Sequence, residues 1–251
     1  MRHEGLLAPG PFKPEHLPNK SPYELNEGHP VECLPTRTRG GRAQLNGGLV
    51  IRTLPGVDAG VEVGVDLGQN TLRAPDVSLL APGEGDDWAK KAPPLAIEYV
   101  DVGQDRADLR TKIRQLLAGG TRAVWAVRLT GPRRVEVYTA DRAKPEVKGP
   151  GDLLTLEGVL PRPIPVEAFY DSDAADQVAM VNLLDRCGFK HPNVAFEEGR
   201  QEGRQEGREE GKLAALRSAA AILLRARGEA SAEESVATMT EADLLALFAR
   251  G

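Results

Sequence analysis

Cysteine is scarce in this sequence. The two present, Cys33 and Cys187, lie far apart, and neither has a second Cys at metal-ligand spacing. This excludes a disulfide-stapled scaffold and a thiolate zinc site, and both residues read as free thiols in a reducing compartment. Histidine is equally sparse: His3, His16, His29 and His191 show no paired spacing, so none is a ligand candidate. Positive charge is not in excess. With a net charge of -5 at pH 7, the chain cannot coat nucleic acid or an anionic membrane by bulk charge, so any phosphate contact must be local. Long apolar runs are missing too. The opening "MRHEGLLAPGPFKPEHLPNKSPYE" lacks a signal-peptide core, and no later segment reaches the roughly 18 uninterrupted apolar residues of a membrane span. A soluble, cytoplasmic protein with no membrane partner is expected.

At 251 residues with 41% hydrophobic side chains, the chain is sized for one ordinary core plus an appendage. Pro9, Pro11, Pro14 and Pro18 each fix φ and remove a backbone donor, so residues 1–20 read as a disordered, Pro-rich arm. "YELNEGHPVE" suggests two short strands turning at Asn26 to Gly28. In "GRAQLNGGLVIRTLPG" the spacing of Ala43, Leu45, Leu49 and Val50 predicts a helix closed by Pro55-Gly56. "VEVGVDLG" alternates with period 2 and reads as one half-buried strand, and "LRAPDVSLLAP" as the next. "PPLAIEYVDV" is nearly all apolar, as a strand buried on both faces would be. A helix follows, with Leu109, Ile113, Leu116 and Leu117 on one face and Gly119-Gly120 as its stop. "TRAVWAVRL" and "RRVEVYTA" then read as two strands joined through "TGP". This order implies an α/β architecture around a mixed sheet.

Three charges interrupt these apolar segments. Asp76 follows Pro75, Glu98 sits within the most buried strand, and Lys112 lies on the next helix. Buried charges are costly unless they are paired or bind metal, so their convergence would make a site. Carboxylate oxygens are hard ligands suited to Mg²⁺, which keeps several waters and needs only one or two protein carboxylates. Asp76 and Glu98 would supply those, and Lys112 would position a nucleophile or stabilise the transition state of phosphodiester hydrolysis. The plain alternatives stand beside this: an Asp after Pro is often a turn former or cap, and a helical Lys can extend to solvent. Arg37, Arg39 and Arg42 in "TRTRGGR" are candidates for phosphate contact or for an ordinary solvated loop.

The ordered set "YELNEG", "VEVGVDLGQNTLRAPDVSLL", "LAIEYVDV", "DLRTKIRQLLAGGTRAVWAVRL" and "RRVEVY" resembles the Uma2 family, also called DUF820, over residues 21–171. That family belongs to the PD-(D/E)XK restriction-endonuclease-like superfamily. The resemblance implies a mixed β-sheet flanked by helices and a Mg²⁺- or Mn²⁺-dependent endonuclease acting on DNA. It matches Pro75-Asp76 to the PD half-motif and Glu98 to the second acid. Val100 stands where the simplest motif has lysine, and Lys112 matches a lysine supplied from the following helix. Glu24 matches a recurrent family acid. The chain also departs from the family, reading Val100-Asp101-Val102 where Ser-Pro is common, and Gln104 and Asp105 would line the same mouth.

After a connecting helix over residues 172–190, residues 191–251 form a charged repeat and helical tail. In "EEGRQEGRQEGREEGK", rows of Gly, Arg or Lys, and Glu recur every four residues. Like charges at i, i+4 and glycines costing about 1 kcal/mol each relative to alanine weaken a lone helix. A packed partner would offset this, which suggests a homo-oligomer joined through a coiled coil or else a helical hairpin, against the alternative of a flexible linker. Beyond it, "LAALRSAAAILLRARG" is a stronger helix, Ser231 with Glu234 forms a capping-box pattern, and Thr240 caps "EADLLALFAR". The functional reading that competes with the nuclease is a non-catalytic interaction protein that assembles through this tail.

Overall fold

A computed structural model describes residues 10–18, 21–103, 106–189, 192–229 and 231–249, with the backbone alone described for residues 192–203 and 206. The chain divides into two compact units, residues 1–189 and 190–251.

In the first unit a hairpin of β1 (Tyr23–Asn26) and β2 (His29–Glu32) turns through Glu27 and Gly28. Both turn residues have positive φ, 51° and 83°, which matches the twist of the strands they join. Residues 10–18 depart from the expected arm. Phe12, only 8% exposed, and Leu17 pack on Leu25 and Leu72, Pro14–His16 make a 3-10 turn, and the Phe12 N–H donates to Gly28 O at 2.8 Å. The prolines restrict this segment without preventing apolar side chains from docking. Residues 1–9, 19 and 20 lie outside the described residues.

Helix α1 (Thr38–Thr53) buries Ala43, Gly47, Val50 and Ile51, whereas Leu45, expected on that face, is 71% exposed. The shift follows from glycine: the Tyr99 ring occupies the space a side chain at position 47 would need, with the Tyr99 Oη 2.1 Å from an ideal Cβ there. The glycine-bearing face can therefore approach the sheet, and Leu45 is left outside.

Each of the next two expected strands is two strands. "VEVGVDLG" divides into β3 (Ala59–Val61) and β4 (Val65–Gly68), and "LRAPDVSLL" into β5 (Thr71–Arg73) and β6 (Val77–Leu79). Among the described residues, one sheet has the order β2-β1-β5-β4. A larger one adds β7 (Leu95–Val100), β8 (Ala123–Arg128), β9 (Arg134–Tyr138) and β10 (Glu146–Lys148) in the order β10-β9-β8-β7-β6-β3. Both divided segments thus cross from one sheet to the other. Glu62 breaks the first with a φ of 52°, and Pro75, which has no N–H, breaks the second. The crossings are tied together, since the Glu62 N–H reaches Pro75 O at 3.1 Å and Asp76 O at 3.3 Å. Asp76 therefore occupies the junction between two sheets.

Strand β7 is buried along its whole length and runs parallel to β8, joined to it by helix α2 (Arg106–Ala118). Its alternate residues serve opposite layers. Leu95, Ile97 and Tyr99 join the core beneath α1 and helix α3 (Ser172–Arg186), while Ala96 and Val100 pack with Leu109, Ile113 and Leu116 of α2. Strand β8 pairs antiparallel with β9, and β11 (Leu153–Leu154) with β12 (Ile164–Pro165). The segment expected only to connect is part of the packed unit: Asn182 of α3 donates to Val50 O at 3.3 Å and to Thr53 Oγ1 at 3.2 Å.

The second unit is helical, with α4 (Pro192–Ala226), α5 (Ala232–Ala237) and α6 (Glu241–Ala249). The charged repeat lies inside α4, so it is helix and not linker. Ala220, Ala221 and Leu224 form a small core with Ala232, Val236 and Leu244. Thr240 Oγ1 accepts the Asp243 N–H at 3.3 Å, but the Ser231 side chain makes no cap hydrogen bond, so the expected capping box does not form. Among the described residues no helix is long and apolar enough to cross a membrane.

The close approach at Gly47 is testable. Gly47→Ala is expected to destabilise the protein by about 1–3 kcal/mol through overpacking against Tyr99. At Gly41 an added Cβ meets only Thr36 Cγ2, at 3.6 Å, so Gly41→Ala should be neutral or stabilise by up to about 1 kcal/mol. Urea unfolding of both variants checks the contrast; an unchanged Gly47→Ala midpoint would refute the packing argument.

Candidate active site

The expected site residues meet at the junction of the two sheets and α2. The apolar face of α2 docks Leu109, Ile113 and Leu116 on Ala96, Val124 and Ala126, which carries the buried Lys112 over the sheet. Its Nζ lies 2.8 Å from Glu24 Oε1, 2.9 Å from Glu98 Oε1 and 2.7 Å from Ala74 O. Glu98 points to this side because it lies between Ala96 and Val100 in the alternation of β7. Asp76 is held by neutral donors: Gln44 Nε2 reaches Oδ1 at 2.8 Å and the Tyr99 N–H reaches Oδ2 at 2.5 Å. Glu24, on β1, accepts from the Ala74 N–H at 3.0 Å and from Arg73 Nη1 at 2.9 Å. Glu24, Asp76, Glu98 and Lys112 are thus brought together.

The remaining candidates are placed differently. Asp101 is ion-paired with Arg39 at the rim, with Arg39 Nε 3.1 Å from Oδ2, so its charge is matched there. Gln104 and Asp105 lie outside the described residues. Three contributors were not foreseen: Gln44, Gln115 and the fully buried Arg73. Arg73 had a usable signal, a charge between Leu72 and Ala74 directly before Pro75-Asp76. The glutamines carry no charge and leave no such mark.

Glu24, Asp76 and Glu98 face Lys112 and Arg73, and Arg73 is shared with a fourth carboxylate, Asp108, so acids outnumber cations here. Glu98 carries the consequence. Burial, opposed by Lys112 but aided by Asp76 and Glu24, pushes its carboxyl up to about 8. Burial also raises Asp76, against the pull of Lys112, Tyr99 N–H and Gln44. At Glu24 burial is outweighed by Lys112 and Arg73, and the carboxyl titrates lower than usual. For Lys112 burial is outweighed by Glu98, Glu24 and Asp76, which hold it as an ammonium.

These donors fit a hard divalent cation in chemistry and charge. Glu98 Oε1 is buried with Lys112 Nζ at 2.9 Å, and a carboxylate with about four lone-pair sites keeps acceptor capacity beyond that one contact. Asp76 accepts hydrogen bonds from neutral groups only, so neither bond cancels a charge it carries. No three His, Cys, Asp or Glu side chains form a ready metal cage among the described residues. A cation that retains its waters and uses two carboxylates needs no such cage.

The raised Glu98 carboxyl has a measurable effect on metal-free protein. Below about pH 4.5 both folded and unfolded states bind this proton, and between there and about 8 the folded state binds more. Its contribution to stability is therefore full at low pH and is lost as pH rises toward 8. Thermal unfolding in EDTA across this range should show the decline in the unaltered protein and a shallower one in Glu98→Gln. Equal slopes would remove Glu98 as the origin.

Residues 14–166, more than half of the chain, match the Uma2 family, described as "Putative restriction endonuclease". A solved structure from Anabaena variabilis ATCC 29413, described as "a putative nuclease belonging to DUF820", is similar with a TM-score of 0.56 and 20% sequence identity. The likeness covers 66% of this chain and 99% of that one. At that identity it speaks for the fold, a mixed sheet flanked by helices. No curated protein matches the chain. By the extent of its match, the chain belongs to the Uma2 family of restriction-endonuclease-like proteins.

Proposed function

We propose that this chain is a metal-dependent DNA endonuclease, in which Asp76 and Glu98 hold Mg²⁺ or Mn²⁺ and Lys112 acts on the attacking water or the phosphate. The observation that carries this reading is the buried Lys112 ammonium placed against acids that are not fully compensated. When bound, the cation supplies Lewis-acid polarisation of a phosphoryl oxygen and a more acidic water. Lys112, held as an ammonium, has three donors and no acceptor, so it cannot take the water's proton. Its contribution is to orient the water through an oxygen lone pair or to stabilise charge growing on the phosphate. Asp76 is fixed by the Tyr99 N–H and Gln44, which limits its reorganisation.

A local source of positive charge supports a polyanionic substrate. Arg106, Arg110 and Arg114 follow one another at i, i+4 along α2 and are exposed. Arg110 and Arg114 also line, with Tyr138 and Arg142, a surface hollow of about 440 Å³. Like charges at this spacing disfavour a helix, and phosphates would relieve them. The Arg37–Arg42 cluster supports the reading less, because Arg39 is engaged by Asp101.

Supercoiled plasmid should be nicked in Mg²⁺ or Mn²⁺ and left intact by Asp76→Ala. In EDTA, DNA binding by the double variant Arg110→Glu, Arg114→Glu should weaken, with a salt slope smaller by about 2. Deleting residues 191–251 should spare nicking. If the unaltered protein neither nicks DNA nor gains thermal stability from either metal, the endonuclease reading falls. A non-catalytic protein that assembles through its helical unit then takes its place.

A further inference from the structure

Glu24, the third acid of the cluster, is bonded differently from the other two. Its Oε2 accepts from Arg73 Nη1 at 2.9 Å, while its Oε1 receives the Ala74 N–H at 3.0 Å and lies 2.8 Å from Lys112 Nζ. Two cations and a peptide N–H thus engage a carboxylate with about four lone-pair sites. Little capacity is left for a metal. Arg73 in turn reaches well beyond Glu24. Its Nη2 donates to Asp108 Oδ1 at 3.2 Å and its Nε to Gln115 Oε1 at 2.7 Å. Asp108 lies four residues before Lys112 and Gln115 three after, so all three share one side of α2. Gln115 Nε2 then donates to Asn26 Oδ1 at 2.7 Å, and Asn26 is two residues from Glu24 on the same face of β1.

We infer that Glu24 is a positioning residue for Lys112 and not a metal ligand, and that Arg73 clamps α2 on both sides of Lys112 to fix where its ammonium lies. This rests on the endonuclease reading of the same site. One face of β1, the end of β5 and one side of α2 are joined through a single guanidinium whose planar fork addresses three acceptors from three directions. An ammonium at position 73 preserves the charge but cannot reproduce that geometry. The register of α2 against the smaller sheet, and with it the placement of Lys112 over Glu98, therefore depends on the fork.

The test separates metal binding, lysine placement and cleavage. Glu24→Gln keeps the shape of the side chain, Arg73→Lys keeps the charge, and Gln115→Ala removes one arm of the clamp from a half-buried position. The thermal stabilisation by Mg²⁺ or Mn²⁺ without DNA is expected to persist in Glu24→Gln and to vanish in Asp76→Ala. Cleavage by Glu24→Gln and Arg73→Lys is expected to fall about tenfold to hundredfold in kcat with KM for DNA little changed. Adding Lys112→Ala to either should cost little more, because residues acting as a unit are not additive. Acetic anhydride labelling, read by mass spectrometry, should modify Lys112 severalfold faster in Glu24→Gln, Arg73→Lys and Gln115→Ala than in the unaltered protein or Asp76→Ala.

Loss of metal stabilisation in Glu24→Gln as complete as in Asp76→Ala would make Glu24 a ligand and overturn the inference. Unchanged Lys112 labelling in all three variants, or full cleavage by Arg73→Lys, would overturn it as well. If the unaltered protein neither cuts DNA nor gains thermal stability from either metal, the endonuclease reading fails by itself, and the labelling still decides whether Glu24 and Arg73 hold Lys112.

Discussion

The ammonium of Lys112, buried among carboxylates, is the constraint to which the first unit conforms. Removing one partner from a buried ion pair typically costs about 3–5 kcal/mol, because the other charge is stranded away from water. The surrounding elements must therefore arrive together. Glu24 comes from β1, Arg73 from β5, Asp76 from the junction, Glu98 from β7 and Lys112 from α2. None of these segments is adjacent in the chain to more than one of the others. The apolar contacts of Leu109, Ile113 and Leu116 supply the force that seats α2, and the charges determine where along the sheet it can rest.

The junction explains why an acid follows Pro75 in an apolar run. A continuous strand would place residue 76 in one sheet's ladder with its side chain committed to one face. By ending β5 and starting β6 in the other sheet, the chain frees Asp76 to receive the Tyr99 N–H and Gln44 while Ala74 serves Glu24 and Lys112 on either side of its peptide units. Pro75 suits the crossing because no ladder hydrogen bond is asked of it. Glu62 performs the matching break between β3 and β4, and its N–H spans the gap to both Pro75 and Asp76.

Much of this was legible in the sequence because burial leaves periodic marks. The all-apolar β7, the face of α2 and the stop at Gly119-Gly120 are local patterns, and the structure follows them. The charges within those patterns, Asp76, Glu98 and Lys112, were visible for the same reason. What escaped was anything decided by a distant partner. Period-2 alternation continues through Glu62, and Pro75 is compatible with an extended segment, so neither shows by itself that two strands change sheets there. The buried face of α1 depends on Tyr99 filling the space beside Gly47, more than fifty residues away in the sequence, and spacing within the helix misassigned Leu45. Residues 12–17 looked irregular from their prolines, yet their hydrophobic side chains found Leu25 and Leu72.

The three acids differ in how completely the protein satisfies them, and that ordering divides their work. Glu24 is met by a guanidinium, an ammonium and a peptide N–H, so an added cation would have to displace charge already in place. Asp76 is met by neutral donors alone, which orient it without cancelling its charge. Glu98 is the most deeply buried, and burial, aided by the neighbouring acids, pushes its carboxyl up to about 8. A protein selected only for stability would replace such a residue with an apolar one, as the rest of β7 does. Retaining an acid inside an otherwise apolar strand makes physical sense if positive charge comes from outside the chain, and a cation arriving at Glu98 would release the proton that burial favours there.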